Sequence, residues 1–355
     1  MVMFNVAKSI VKNKFNKISY PSFITYLITW RCNSRCIFCD VWKKRAGQID
    51  ELDIDEIEKA FSQLKKLDVL RLSGGEPFLR KDLAEVINLI DKINKPSLIH
   101  LTSNGMLTEI ISETVKKIKP LNKIHIKISI DNVGEKHDKV RQIPGAYNKA
   151  METVRMLSNV SKETGLHVGV NQVVVNESDI DSYFELKKIL SEYNVPIYPV
   201  IANQPTNSLY SDSGVVDPNI SFKPFGDFSK EGIKKFMKIL LRHGKEVNDF
   251  KEQMVDRYHL KGLYNRLVEE KNNPNPKCVA LNNHLRILPN GDIPVCMYNG
   301  SIVGNLRNEK FKDIWFGDKI KKYRTYVNNC PGCWQSCETA VSAIYTGDIM
   351  KGMFY

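Results

Sequence analysis

The chain has 355 residues, of which 42% are hydrophobic and 26% charged, and its formal net charge is +12 at pH 7. This length can bury one large domain and a smaller one, and no apolar run approaches the length of a transmembrane helix. Eight cysteines without a secretory leader argue against a disulfide scaffold and favour metal chemistry in a cytoplasmic protein. The basic surface suits nucleic acid, anionic lipid or an acidic substrate, or is only a solvated lysine-rich face.

The first twenty residues predict a short amphipathic helix. Apolar residues recur there at helical spacing, with lysines between them. Such a helix either lies on an anionic membrane surface or packs on its own domain. The apolar positions are Phe4, Ala7, Ile10, Val11 and Phe15, and the lysines are Lys8, Lys12 and Lys14.

From residue 23 onward, apolar strands alternate with helical segments. We predict strands over 23–29, 69–72, 97–102, 124–130, 167–175 and 195–201, and helices over 54–67, 82–93, 108–118, 147–158 and 180–193. This alternation predicts an α/β fold with a parallel sheet wrapped by helices.

The alternation ends at residue 202. Residues 202–228 are rich in Asn, Ser, Pro and Gly and predict a long loop, whereas residues 229–271 are helical and charged. An Asn- and Pro-rich segment over 272–276 ends the helical region and marks a domain boundary. We therefore expect four parts, over 1–22, 23–201, 202–277 and 278–355.

The last part contains the other five cysteines. Strands predicted over 285–288 and 293–295 flank an Asn290-Gly291 turn, which is a strong hairpin signal. That hairpin would bring Cys278 and Cys296 close together. A tight turn after it supplies further thiols at Cys330, Cys333 and Cys337.

The most informative motif follows the first strand. Cys32, Cys36 and Cys39 have the spacing C-x3-C-x2-C. Three thiolates on one loop can hold three corners of a cubic [4Fe–4S] cluster, which leaves one iron open to a substrate or cofactor. A structural zinc site with a distant histidine is the alternative, although zinc sites usually use C-x2-C pairs.

With Phe38 in the aromatic position before Cys39, this motif resembles the signature of the radical S-adenosylmethionine (radical SAM) superfamily. The Gly74-Gly75-Glu76 segment, after the predicted strand 69–72, resembles a second motif of that family. The resemblance implies a partial (β/α)6 TIM-like barrel whose active site lies at the C-terminal ends of the strands. It also implies S-adenosylmethionine as a cofactor, with the methionine nitrogen and carboxylate on the open iron.

The resemblance further implies the residues that bind this cofactor. The glycine backbone and Glu76 would accept hydrogen bonds from the methionine ammonium, and Ser129 and Arg141 would hold its carboxylate. Asn104 would reach the ribose, and Phe38 would lie near the adenine or cover the cluster. No catalytic acid or base is assigned. The full set is Phe38, Gly74, Gly75, Glu76, Asn104, Ser129, Asp131 and Arg141.

The C-terminal cysteines resemble the SPASM and twitch auxiliary domains of the same superfamily. Cys278, Gly291 and Cys296 match the spacing C-x(9–15)-G-x4-C. Five cysteines cannot fill two four-cysteine sites, so we expect one auxiliary [4Fe–4S] cluster, with a zinc ribbon as the alternative. Its ligands would be four of the five cysteines Cys278, Cys296, Cys330, Cys333 and Cys337. Which of the last three is not a ligand is left open.

The implied activity is reductive cleavage of S-adenosylmethionine to a 5′-deoxyadenosyl radical that takes hydrogen from an unidentified substrate. A flavodoxin- or ferredoxin-type protein would donate the electron, and weak membrane contact would occur through residues 1–18. A peptide, a lipid or isoprenoid, and a sugar or nucleotide remain open as substrates. A non-catalytic iron–sulfur electron carrier is the rival from another class, but it has no use for Glu76 or Arg141. A second rival is an RNA-modifying protein, which the charge favours but for which the sequence shows no recognisable RNA-binding module.

Overall fold

A parallel sheet of seven strands organises the chain. The computed structural model describes residues 9–11, 13, 18–44, 50–204, 208–209, 222–246 and 250–354. In spatial order the sheet is β6-β5-β4-β3-β2-β1-β7, and every neighbouring pair is parallel. The strands are β1 (Phe23–Thr29), β2 (Val69–Gly74), β3 (Leu98–Ser103), β4 (Ile124–Ser129), β5 (His167–Val174), β6 (Ile197–Ile201) and β7 (His284–Ile287).

Helices connect the first six strands, which confirms the partial-barrel prediction. They are α1 (Ile54–Ser62), α2 (Leu83–Asn94), α3 (Thr108–Lys117), α4 (Glu135–Arg141), α5 (Ala146–Thr164) and α6 (Ser182–Ser191). Helix α1 begins at a capping box, in which Asp53 accepts from the backbone of Glu56 and Glu56 accepts from that of Asp53. Helix α4 was not predicted, because its seven largely polar residues carry no apolar periodicity.

The two faces of the sheet differ in polarity. On the outer face, apolar side chains such as Leu72, Leu101 and Ile126 are buried against the helices in the main core. On the inner face, which lines the interior of the barrel, residues such as Arg71 and Lys127 are only partly buried. Because side chains alternate between the faces of a strand, Arg71 and Lys127 point into the barrel, opposite to their apolar neighbours.

The C-terminal part packs against the first strand. It contains α7 (Lys230–Glu246), α8 (Phe250–Leu267), β8 (Asp292–Pro294), β9 (Ile302–Asn305), α9 (Phe311–Phe316), α10 (Asp318–Asn328) and α11 (Ser336–Thr346). Strands β8 and β9 form an antiparallel hairpin.

The predicted hairpin between 285–288 and 293–295 was wrong in its pairing. The turn itself forms, since the N–H of Leu288 donates to the carbonyl of Asp292 at 2.8 Å. Strand β7, however, pairs in parallel with β1, with Phe23 opposite His284 and Tyr26 opposite Ile287. All four residues of β7 are buried, and a buried strand gains more by extending the barrel sheet than by pairing in an isolated hairpin.

Only part of the predicted N-terminal helix can be assessed. Residues 9–11 and 13 are helical, whereas Phe4, Ala7 and Phe15 lie outside the described residues. The Nδ2 atom of Asn13 donates to the carbonyl of Tyr345 at 2.9 Å, so this segment contacts α11. Val11 is 55% exposed. Within the described ranges, no helix is both long and apolar enough to span a bilayer.

Candidate functional site

The loop that carries Cys32, Cys36 and Cys39 follows β1 and is held against the end of α4. Within this loop, the backbone N–H groups of Arg35 and Ile37 donate to the carbonyls of the last two residues of α4, at 3.1 and 3.0 Å. The N–H of Cys39 also donates to the carbonyl of Cys36 at 3.1 Å. These bonds fix the loop against α4, and Cys32 lies near enough to Cys36 and Cys39 for their thiols to interact electrostatically.

The three thiols suit metal ligation. All three cysteines are free, and Cys36 is buried. Burial raises the pKa of the Cys32 thiol to about 12 and that of the Cys39 thiol to about 11, so these two thiols stay protonated in the bare protein. A cluster iron would supply the positive charge that ionises them. Arg141 Nη1 lies 3.4 Å from Cys36 Sγ as a donor. The donor set therefore fits a three-thiolate cluster site.

Arg141 forms a buried two-point ion pair with Asp131. Its Nη2 lies 2.8 Å from Asp131 Oδ1, and its Nε lies 2.7 Å from Oδ2. Although burial opposes the charge, Asp131 and Cys36 raise the pKa of Arg141 above its ordinary value. Two sides of the guanidinium are thus occupied by Asp131, and the third faces Cys36. We find Arg141 beside the cysteine loop as expected, but engaged with a partner that the sequence did not indicate.

Asp131 is also tied to the neighbouring elements. Its N–H donates to Nδ1 of the buried His137 at 3.0 Å, and its Oδ1 accepts from the N–H of Val173 at 3.3 Å. Burial and Arg141 lower the pKa of His137 to about 2, so this imidazole is neutral. The Asp131–Arg141 pair is therefore a rigid part of the site.

The two glycines after β2 lie against the backbone of the cysteine loop. A Cβ atom on Gly74 would approach the carbonyl oxygen of Thr29 to 2.2 Å, and one on Gly75 would approach that of Arg31 to 2.1 Å. Gly74 also has a φ of +126°, which other residues rarely adopt. Only glycine fits at both positions, so this segment brings bare backbone to the cysteine loop.

Glu76 is buried and engaged inside the protein. Its carboxylate accepts from the hydroxyl of Ser103 at 2.9 Å and from the N–H groups of Phe78 and Asn104 at 3.2 and 2.7 Å. Burial nevertheless raises the pKa of Glu76 to about 7. With these donors in place, Glu76 anchors the end of β3 to the end of β2.

The remaining residues of the set also gather at these strand ends. The Nδ2 atom of Asn104 donates to Oδ1 of Asn33 at 2.6 Å, which links β3 to the cysteine loop. Ser129 ends β4 and is partly buried. The Phe38 ring packs among apolar residues that include Val173 and Phe225. The structure thus brings the whole predicted set to one end of the barrel.

The five other cysteines come from separate segments but meet beside α11. Four of them line one small cavity: Cys278, Cys296, Cys330 and Cys333. The N–H of Asn299 donates to Cys296 Sγ at 3.3 Å, and that of Gly332 donates to Cys330 Sγ at 3.4 Å. Backbone N–H groups that point at sulfur suit a cluster thiolate. Cys337 does not line this cavity.

A buried carboxylate lies in the same cavity. Glu338 bonds to Arg286, and its Oε2 lies 3.0 Å from His284 Nδ1. The other ring nitrogen of His284 lies 2.9 Å from the hydroxyl of Thr25. Burial lowers the pKa of His284, so we assign a neutral imidazole and a Glu338 carboxylate balanced by Arg286. Motif reasoning missed this network, since its members lie on β7 and α11 and only the fold joins them.

In the described part of the chain, no three His, Cys, Asp or Glu side chains converge tightly enough for a single metal ion. The thiolates of a cubic cluster bind different irons and stand farther apart than the ligands of one ion. A cluster at either cysteine group therefore does not require the tight convergence that a single metal ion needs.

A cavity of about 190 Å³ lies beside strand β6 and helices α7 and α8. Phe38 lines it at the end near the cysteine loop, and Gln335 lines it near Cys333. Helices α7 and α8 supply apolar walls through Phe236, Leu240 and Leu263.

Comparison with known proteins places these features in a family. Residues 26–186 match the radical SAM superfamily, and residues 278–338 match the SPASM iron–sulfur cluster-binding domain. The Fe-coproporphyrin III synthase of Methanosarcina barkeri (strain Fusaro / DSM 804) is 29% identical over 185 residues, which are 52% of this chain and 44% of that protein. The chain thus spans about half the length of the first curated relatives it matches.

Two further matches cover most of the chain. The AdoMet-dependent heme synthase of the same organism is 24% identical over 348 residues, 93% of this chain and 95% of that protein. The crystal structure of Streptococcus suis SuiB superposes with a TM-score of 0.61 at 17% identity, over 88% of this chain and 70% of SuiB, which shows a shared fold.

The chain therefore contains a radical SAM domain over residues 26–186 and a SPASM-type domain over residues 278–338. The first domain implies a [4Fe–4S] cluster and S-adenosylmethionine, and the second implies auxiliary iron–sulfur.

Proposed function

We propose that this protein is a radical SAM enzyme that takes a hydrogen atom from an unactivated C–H bond of its substrate. The observation that carries the proposal is the three-thiol loop at the barrel rim, clamped to α4 and faced by the Gly74–Gly75 backbone. When bound and reduced, the cluster supplies the electron that cleaves S-adenosylmethionine to methionine and a 5′-deoxyadenosyl radical.

The residues of the chain would bind and orient this cofactor. Cys32, Cys36 and Cys39 hold the cluster, and the backbone at Gly74 and Gly75 faces the methionine ammonium. Arg141 donates toward Cys36 and stays charged through its pair with Asp131. Ser129 and Asn104 lie at the neighbouring strand ends for the methionine carboxylate and the ribose. Because the Glu76 carboxylate already accepts hydrogen bonds from other residues of the chain, its role is to hold the ends of β2 and β3 together.

We further infer that one auxiliary [4Fe–4S] cluster is held by Cys278, Cys296, Cys330 and Cys333. These four line one cavity, and Cys337 does not. The cluster would lie at the Gln335 end of the 190 Å³ cavity, so it could bind the substrate or accept an electron from the product radical. A flavodoxin- or ferredoxin-type donor would serve the first cluster.

Two substrate classes have specific support. A tetrapyrrole is favoured by the relative that aligns along nearly the whole chain and is named a heme synthase. A peptide is favoured by the fold shared with SuiB, one structure of which is bound to precursor peptide SuiA. Membrane contact through residues 1–18 would suit a lipid-like substrate and rests on the exposed Val11 and the neighbouring lysines.

The direct test is cofactor cleavage. Anaerobically reconstituted protein with a strong reductant should slowly convert S-adenosylmethionine to equal amounts of methionine and 5′-deoxyadenosine, even without substrate. Formation of S-adenosylhomocysteine alone would show a methyl transferase and contradict the proposed mechanism.

A further inference from the structure

One of the four buried arginines in the described part of the chain has no counter-charge. Arg324, on α10, is only 5% exposed, and the described residues provide no carboxylate near it. Each of the other three forms an ion pair with an acidic side chain. A buried charge without a partner is costly, so the isolated guanidinium of Arg324 requires an explanation. The three pairs are Arg80–Asp82, Arg141–Asp131 and Arg286–Glu338.

The contacts of Arg324 satisfy only part of its guanidinium. Its Nε donates to the carbonyl of Leu281 at 2.7 Å. Its Nη2 is buried and has no hydrogen-bond partner among the described residues. The guanidinium carbon lies 4.8 Å from the centre of the Trp315 ring, which attracts a cation without neutralising it. Burial lowers the pKa of Arg324 to about 10, so the side chain remains charged at neutral pH.

Arg324 lines a cavity of about 70 Å³ where α10 meets the N-terminal segment and the end of α11. The other polar residues of its described lining are neutral or cationic, and none is Asp or Glu. Lysine and asparagine side chains can both donate to an anion. Lys277 and Asn328 are exposed, so a solute can reach the cavity from solvent. Its polar residues besides Arg324 and Thr346 are Asn13, Lys277, Asn282 and Asn328.

The surrounding segments do not supply the missing carboxylate. Residues 1–17 contain four lysines and no Asp or Glu, and residues 277–282 contain no acidic residue either. The one acidic residue of α10, Asp318, stands at the opposite end of that helix and pairs with Lys321. Asp348, shortly after α11, pairs with Lys351. The counter-charge of Arg324 therefore has to come from outside these segments.

We propose that this cavity binds a phosphate-sized oxyanion through Arg324. A buried site needs roughly 15 Å³ of such volume for one water, so about 70 Å³ accommodates about five water-sized groups, close to the size of a phosphate. The guanidinium fork matches the oxygens of a phosphate, and charge-assisted hydrogen bonds are strongest in a desolvated setting. Lys277, at the edge of the cavity, adds a second positive charge.

The bound anion joins three parts of the chain that carry no covalent link to one another here. They are the N-terminal segment at Asn13, α10 at Arg324, and the segment around Cys278, which also lines the cavity. Cys278 is at the same time one of the four cysteines around the auxiliary cavity. The anion thus stabilises the edge of the auxiliary domain, and its binding is separate from the binding of S-adenosylmethionine.

The test titrates inorganic phosphate into the anaerobically reconstituted protein by calorimetry at constant ionic strength. We expect saturable binding at one site and a higher melting temperature with phosphate. Arg324→Gln should weaken phosphate binding tenfold or more and abolish the thermal gain, whereas Arg324→Lys keeps the charge and should retain part of both. Because Arg324→Gln removes an unpaired buried charge, it should be at least as stable as the wild type without phosphate.

The matched control is Lys321→Gln, which removes one positive charge from the same helix at a side chain that is 63% exposed. It should bind phosphate as the wild type does. Glycerol 3-phosphate is the second probe. If it binds as well as phosphate, the site accepts the phosphate group of a larger molecule, and if only phosphate binds, the ligand is the free ion.

Absence of saturable phosphate binding, or equal binding by the wild type and Arg324→Gln, would overturn the proposal. A shifted reduction potential of the auxiliary cluster in Arg324→Gln, without phosphate binding by the wild type, would instead identify Arg324 as a counter-charge of that cluster. None of these measurements depends on cleavage of S-adenosylmethionine, so failure of the anion site and failure of the proposed function remain distinguishable.

Discussion

The two cysteine groups are assembled in opposite ways. The first occupies eight residues of one loop, and two backbone hydrogen bonds to α4 are enough to fix it. The second draws its four cavity-lining cysteines from a stretch of 56 residues, Cys278–Cys333, and needs β7, β8 and the start of α11 in place. The first group has all its thiols on one loop and needs that loop to be docked against α4, whereas the second needs three separate segments to be brought together.

Their electrostatic surroundings also differ. At the first group, the buried cation Arg141 donates toward Cys36. At the second, the buried anion Glu338 lies among the cysteines. A nearby cation favours addition of an electron to a cluster, and a nearby anion opposes it. We therefore expect the surroundings to raise the reduction potential of the first cluster and to lower that of the second.

Replacing Cys32, Cys36 and Cys39 with Ala should have the largest effect. Iron should fall from about eight to about four per chain, because one of two four-iron clusters is lost. Formation of 5′-deoxyadenosine should stop. Iron and sulfide analysis with visible absorbance would measure the first effect. Stoichiometric zinc without visible absorbance in the wild type would contradict the assignment at both sites.

Single substitutions should separate the ligands of the second group. Cys333→Ala should lose about four irons while 5′-deoxyadenosine formation without substrate persists. Cys337→Ala is the matched control, four residues away, and should keep about eight irons. A loss of four irons in Cys337→Ala with full retention in Cys333→Ala would show that Cys337 is a ligand and Cys333 is not.

The contrast between a site on one loop and a site made from separate segments also determines how much of each the sequence could predict. Strand β1 was predicted at its observed limits, because a fully buried run of seven residues carries a strong signal. The cysteine loop and the glycine pair were also found from local motifs. The helix predicted over 54–67 ends at Ser62, since Leu64 and Leu67 are buried at helical spacing but belong to the turn that follows.

The sequence could not predict which residues and strands contact one another across the fold. Arg141 was expected to hold the methionine carboxylate, and its bond to Asp131 depends on how α4 returns to the rim of the barrel. The pairing of β7 depends on which edge of the sheet is free. The sequence also contained a signal that the predictions did not use. Arg71, His100 and Lys127 each stand between two apolar residues of a strand, and this alternation predicts a polar inner face.

Arg141→Ala tests the electrostatics of the first group. The substitution removes the charged donor to Cys36 beside the cofactor site, so S-adenosylmethionine binding should weaken about ten- to a hundredfold, equivalent to about 1.5–3 kcal/mol. It also leaves Asp131 buried without its partner, which should lower the free energy of unfolding by about 3–5 kcal/mol. Binding titration and urea unfolding would measure the two effects.

The double variant Asp131→Asn/Arg141→Ala is the control for Arg141. It should regain part of the stability without regaining cofactor affinity. Recovery of both would show that Arg141 serves only to neutralise Asp131. An unchanged dissociation constant in Arg141→Ala would remove this residue from the cofactor site.

Glu338→Gln tests the electrostatics of the second group. The amide keeps an acceptor for Arg286 but removes the negative charge, so the auxiliary cluster should become easier to reduce. A charge interaction of about 1–2 kcal/mol corresponds to about 40–90 mV for one electron. Redox titration followed by electron paramagnetic resonance would resolve the shift. Equal shifts at both clusters would indicate a general structural change.

The smallest expected effect concerns the N-terminal segment, which contacts α11 and hence the second group. Asn13 bonds to the carbonyl of Tyr345, and Ile10 lies close to Gly347. Apolar side chains and lysines of this segment could also bind an anionic interface, with about 1 kcal/mol from each lysine near the surface. We expect weak, salt-sensitive flotation with anionic liposomes that is lost in a protein beginning at residue 20. If both proteins float equally poorly at low salt and the truncated one retains less auxiliary iron, the segment stabilises α11 and does not bind the membrane. The case for a lipid-like substrate would then lose its support in this chain.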